Sequence, residues 1–80
     1  MGSYDKIYND IKDILYNEFS IYVDNINSNS MLNGDIFNER LDVFELILNV
    51  ENNYQISIDE NIITDKTTFG DLVKIVEASL

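Results

Sequence analysis

Apolar residues recur at spacings of three and four at the start of the chain: Tyr4, Ile7, Tyr8, Ile11, Ile14, Leu15 and Phe19. That period draws one stripe along a helix, with Asp10, Lys12, Asp13 and Asn17 on the other face, and predicts helix one from Tyr4 to Phe19. Ser3 is placed to cap it by accepting from a free backbone N–H. Asp5 then falls in the first turn, where the helix dipole favours negative charge. The pattern breaks between Ser20 and Glu39, where Asp24 to Ser30 and Asn33-Gly34-Asp35 are rich in side chains that bond their own backbone and compete with helix. A long loop is predicted there, with room for a short helical turn, pinned to the core by Ile21, Val23, Ile26, Met31, Leu32, Ile36 and Phe37. Loops beyond about 12 to 15 residues are uncommon in compact domains, so this one needs anchors.

Helical spacing returns between Arg40 and Tyr54 with Leu41, Phe44, Ile47, Leu48, Val50 and Tyr54, and Leu46 widens the stripe. Gln55-Ile56-Ser57-Ile58 alternates like a strand, but without a second strand it reads as an extended connector that buries Ile56 and Ile58. A short helix over Asp59 to Thr64, capped by Asp59, would present Ile62 and Ile63. The last helix has the clearest start. Thr68 followed by Asp71 has the form of a capping box, and Phe69, Leu72, Val73, Ile75 and Val76 give its buried face up to about Ala78, with Lys74 and Glu77 in water. Tyr4, Tyr8, Phe19, Phe44, Tyr54 and Phe69 all fall on apolar helix faces and are assigned to core packing. The expectation is one all-α domain over residues 1–80, a bundle of three main helices plus one short helix with a long loop between helices one and two.

Composition narrows the functions open to such a bundle. Hydrophobic residues make up 45% of the 80-residue chain, enough for one core but not for a large enclosed active site. Fifteen Asp and Glu face five Lys and Arg, a formal charge of -10, which repels nucleic acid and anionic membranes and favours protein partners with a basic patch. The same self-repulsion predicts that stability rises with salt. There is no histidine and no cysteine, so the commonest general base, thiolate ligands and disulfides are absent, and an enzyme is not expected. No apolar run is long enough to cross a bilayer and no secretion signal opens the chain, so a cytoplasmic monomer is the expectation. Asp59, Glu60 and Asp65, or Asp35 and Glu39, would at most attract a divalent cation weakly, because their spacing fails the calcium-loop pattern.

Three segments in register resemble the acyl carrier protein family. Asp35-Ile36-Phe37-Asn38-Glu39-Arg40-Leu41-Asp42-Val43-Phe44-Glu45-Leu46 is similar, without a gap, to the family's D-L-G-x-D-S-L-D-x-x-E-L. Asp35, Leu41, Asp42, Glu45 and Leu46 match, Glu39 stands for Asp, and Arg40 stands for Ser. Val50-Glu51-Asn52-Asn53-Tyr54-Gln55-Ile56-Ser57-Ile58 resembles L-E-x-x-F-x-I-x-I, and Thr67-Thr68-Phe69-Gly70-Asp71 resembles the T-x-G-D that starts the last helix. The likeness is specific over the C-terminal half and architectural over the first.

In the family, the serine at the head of the second helix receives a phosphopantetheine arm whose thiol carries acyl groups. A guanidinium stays protonated and offers donors but no nucleophilic lone pair, so no such cofactor is expected at Arg40. Ser28 and Ser30 lie too far upstream to take over. Arg40 reads either as a neutral surface replacement or as a binder of an anion. Its charge opposes the helix dipole by roughly 0.3 to 1 kcal/mol, which Glu39 and Asp42 would offset. The resemblance also implies that Asp42, Glu45, Leu48 and Glu51, with Glu39 and Arg40 at the helix head, form a surface that docks a basic partner. Without the family they read as an ordinary solvated face, and Asn52 stands where the family has a further acid. Two functions remain: a carrier-like interaction module without the arm, and a working acyl carrier bearing phosphopantetheine in fatty-acid, polyketide or related biosynthesis.

Overall fold

Among the described residues the apolar spacing is realised as three helices: α1 (Ser3–Phe19), α2 (Arg40–Tyr54) and α3 (Phe69–Ser79), with a 3-10 turn at Glu60–Ile62. A computed structural model describes residues 3–80 of the chain. The described residues contain no strand, only isolated bridge pairs, Met31 with Thr68 and Asn33 with Phe37. The architecture is the all-α bundle with a long first loop that the sequence predicts. Its radius of gyration, 11.3 Å, is close to the roughly 12 Å expected for a folded chain of this length.

One core joins the helices. Ile7, Ile11 and Leu15 of α1, Val43, Leu46, Ile47 and Val50 of α2, and Phe69, Leu72, Val73 and Val76 of α3 are buried together with Leu32, Phe37, Ile58 and Ile63. Burying each large aliphatic or aromatic side chain contributes about 1.5 to 3 kcal/mol relative to exposure. Tyr4, Tyr8, Phe19 and Tyr54 pack against this core half-buried. Rings of Tyr8 and Phe69 meet edge to face at 4.8 Å, and those of Phe19 and Phe37 at 5.3 Å.

The α2 stripe differs from the expected one. Leu46, Ile47 and Val50 are buried as expected, but Val43 joins them, while Leu41 and Leu48 are 73% and 57% exposed. Residues 43, 46, 47 and 50 make a complete stripe of their own on the opposite side of the helix from Leu41 and Leu48. Phe44 is half-buried and outside the core packing, where it meets Arg40 instead. Met31 and Ile62 are also exposed, against expectation. Ser3 is the first helical residue rather than the cap before it.

The long loop contains turns but no helical segment, and hydrogen bonds hold it. Asp35 accepts from the Met31 backbone N–H at 2.8 Å, closing a tight turn in which Gly34 takes φ 118°, a conformation that favours glycine. Leu32 N–H donates to the Thr67 carbonyl at 3.0 Å. The first two N–H groups of α3, on Phe69 and Gly70, donate to the carbonyls of Ser30 and Ser28 at 2.8 and 2.9 Å. Free N–H groups at a helix start need partners, and here the loop supplies them. Thr68 and Asp71 complete the expected capping box, with bonds of 3.1 and 3.0 Å.

Candidate functional site

At the head of α2, Glu39 occupies the N-cap position in extended backbone, and its side chain makes no capping bond. Arg40 follows as the first helical residue. Its Nη1 donates to Oδ1 of Asp65, its Nη2 reaches the Ile63 carbonyl at 3.4 Å, and the guanidinium lies 5.4 Å from the centre of the Phe44 ring. Asn33 Nδ2 donates to the same Asp65 oxygen at 3.2 Å. The charge on Arg40 is therefore offset by Asp65, 25 residues further on, and not by Glu39 or Asp42 as the sequence suggests. A guanidinium above a ring face gains cation–π attraction, which adds to this hold. Phe44, Ile63 and Asp65 were outside the predicted site. No local signal in the sequence marks them, because the helical period alone does not show that Phe44 lies off the buried stripe.

The other predicted site residues spread over the outer half of α2. At 3.6 residues per turn, Glu45 and Leu48 run along the crest with Leu41, while Asp42 and Glu51 sit on opposite shoulders. Glu45 and Leu48 are exposed and Asp42 half-exposed. Glu51 is partly committed to the fold, because its Oε2 accepts from the Ile58 N–H at 2.7 Å and ties the connector to α2. Arg40 lies on the same shoulder as Phe44, facing the Ile63–Asp65 segment, and a cleft of about 350 Å3 opens there.

A second polar cluster joins α1 to the end of α2. The Tyr54 hydroxyl donates to Asp10 Oδ2 at 2.8 Å, and Lys6 Nζ meets the same oxygen at 3.0 Å. Partial burial works to raise the Asp10 carboxyl, but the Tyr54 and Lys6 donors outweigh it and hold the carboxyl below its usual range. Burial, with the Asp10 carboxylate beside it, pushes the Tyr54 hydroxyl well above the usual phenol range.

Three of the five carboxylates considered for a cation have other partners. Asp59 caps the 3-10 turn by accepting from the Asn61 N–H at 2.9 Å, Asp65 holds Arg40, and Asp35 closes its own turn. No group of three or more acidic side chains converges among the described residues. No helix there is long and apolar enough to cross a membrane.

No family model matches the chain. It is similar to three curated proteins named acyl carrier protein. The one from Sulfurovum sp. strain NBC37-1 is 25% identical over 89% of this chain and 95% of its own. That from Wolinella succinogenes is 26% identical over 91% and 96%. That from Lactobacillus acidophilus is 28% identical over 95% of each. Similarity across nearly the full length of all three supports an acyl-carrier-like fold for this chain.

Proposed function

We propose that this chain is a non-catalytic, acyl-carrier-like interaction module that engages a biosynthetic or regulatory protein through the outer face of α2. It would act as a single domain and a monomer in the cytoplasm. One observation carries the reading: Arg40 stands at the head of α2 where the resembled motif has its serine, and its guanidinium is already held by Asp65 and the Ile63 carbonyl. Those residues do not fit a phosphopantetheine arm, because no oxygen nucleophile stands at that position. Ser28 and Ser30 offer no substitute. Both lie in the loop segment fastened to the start of α3, and the Ser30 hydroxyl accepts from the Asn27 N–H at 3.0 Å.

The anion-binding role for Arg40 is less well supported than docking. Asp65 occupies the guanidinium, and Glu60 adds a second negative charge to the same cleft. Docking is supported by Glu45 and Leu48 on an exposed crest beside Leu41, an apolar strip edged with carboxylates that complements a partial apolar patch ringed by basic residues.

The names of the three similar proteins favour one other reading, a working acyl carrier bearing thioester intermediates. Intact-mass measurement after incubation with coenzyme A and a broad-range phosphopantetheinyl synthase separates the two. The module predicts no gain on the native chain and a gain of one phosphopantetheine unit on Arg40→Ser; a gain on the native chain establishes the carrier instead. Docking is checked by titration against a carrier-dependent biosynthetic enzyme, where Glu45→Lys should weaken binding about tenfold or more.

A further inference from the structure

Asn33-Gly34 is the one Asn-Gly pair in the chain, and it lies in the tight turn of the long loop. Glycine has no side chain to keep its backbone nitrogen from reaching the side-chain carbonyl carbon of the residue before it, which is what closure to a cyclic imide requires. The turn leaves that approach open in one respect and restrains it in two. A Cβ at Gly34 would meet no atom within 4 Å, and the residue is exposed, so water reaches the pair. Against this, the Gly34 N–H donates to the Phe37 carbonyl at 2.7 Å, an acceptor that cannot carry the proton away. Asn33 Nδ2 donates to Asp65 Oδ1 at 3.2 Å, across 32 residues. A carboxylate bonded to the leaving amide keeps electron density on its nitrogen and makes the adjoining carbonyl carbon a poorer electrophile.

We propose that Asn33 is a site of spontaneous deamidation, held back by Asp65 in the closed loop and released when the loop opens. Water or hydroxide takes the proton from the Gly34 nitrogen, whose electron pair bonds Cγ of Asn33; the Cγ–Nδ2 bond breaks and ammonia leaves. Water then adds to either carbonyl of the imide, and the ring opens to aspartate or isoaspartate. No oxidant or reductant takes part. The product sets a carboxylate beside that of Asp65, which loses a donor and gains a like charge, and the two acids compete for the Arg40 guanidinium. Isoaspartate also adds a methylene to the backbone of a turn whose Phe37 N–H donates to the Leu32 carbonyl at 2.9 Å. Modification in the loop thus changes how the head of α2 is held. The inference stands independently of the docking reading.

The native chain, Asp65→Ala and Arg40→Ala are incubated in mildly alkaline buffer, folded and in guanidinium chloride, and the more acidic product is followed by anion exchange. Peptide mapping with electron-transfer fragmentation locates the new acid and distinguishes aspartate from isoaspartate. Both products are expected at residue 33, ahead of Asn27 and Asn29, each of which precedes a serine. The folded native chain should convert more slowly than the same chain in guanidinium chloride. In folded Asp65→Ala the rate should rise about three- to tenfold, the scale of one net hydrogen bond. Arg40→Ala also breaks the ion pair but keeps the acceptor for Asn33, and should not speed the reaction. Equal rates for the folded and unfolded native chain, equal acceleration by the two substitutions, or a folded Asp65→Ala no faster than the native chain would each overturn the proposal.

Discussion

Arg40 brings positive charge into the first turn of a helix, where the backbone dipole opposes it by about 0.3 to 1 kcal/mol. Its ion pair with Asp65 works against that cost, but the two side chains are 50% and 72% exposed, so water screens the attraction and the net gain is small. Arg40→Ala should change unfolding free energy by less than about 1 kcal/mol in urea titration. A loss several times larger would mean that the Phe44 stack and the Ile63 bond act as one unit with the pair. Gly70 is the opposite case. A Cβ there would come within 2.9 Å of the Ser28 carbonyl oxygen and Cβ, and within 3.1 Å of the Tyr4 hydroxyl. The Ser28 oxygen is backbone and already bonded to Gly70 N–H, so it has little room to move. Gly70→Ala should cost about 1 to 3 kcal/mol in the same measurement.

Among the elements, α2 shows both the reach and the limit of periodic reading. Its bounds agree with the sequence expectation from Arg40 to Tyr54, yet the expected stripe mixes two faces. Leu41, Phe44 and Leu48 have helical spacing, and so do Val43, Leu46, Ile47 and Val50; the period says that a stripe exists without saying which of two will meet α1. Capping was more legible, because Thr68 and Asp71 satisfy each other within one turn. The ion pair of Arg40 with Asp65 and the bond of Glu51 to Ile58 depend on how distant segments return, which local pattern does not encode. The end of α2 also carries correctable strain. Gln55 sits at φ 57° just past the helix, its N–H and that of Ile56 both donating to the Glu51 carbonyl. This is the left-handed cap that glycine adopts without penalty. Gln55→Gly should raise the thermal midpoint, by about 1 kcal/mol of stability or somewhat less.

For the whole molecule, charge sets the response to conditions. The Asp10 carboxyl lies below its ordinary range in the fold, so its stabilisation is present above about pH 4 and is lost as pH falls through the folded value. The Tyr54 hydroxyl lies above its ordinary range. Its contribution is present below about pH 10 and is lost as pH rises through the folded value. Tyr54→Phe should therefore lower stability at neutral pH and narrow the gap to the native chain at both extremes, read from melting curves at fixed salt. With a formal charge of -10, melting temperature should also climb from low to moderate ionic strength in both proteins, as self-repulsion is screened.

The amides at the start of a helix usually exchange with solvent first, because nothing holds them. Here Phe69 and Gly70 hand theirs to the carbonyls of Ser30 and Ser28, so the middle of the chain cannot lift away without breaking both of these bonds. Deuterium uptake at those two positions should be as slow as in the helix interior. Any release of the loop should register there as one cooperative opening rather than as fraying.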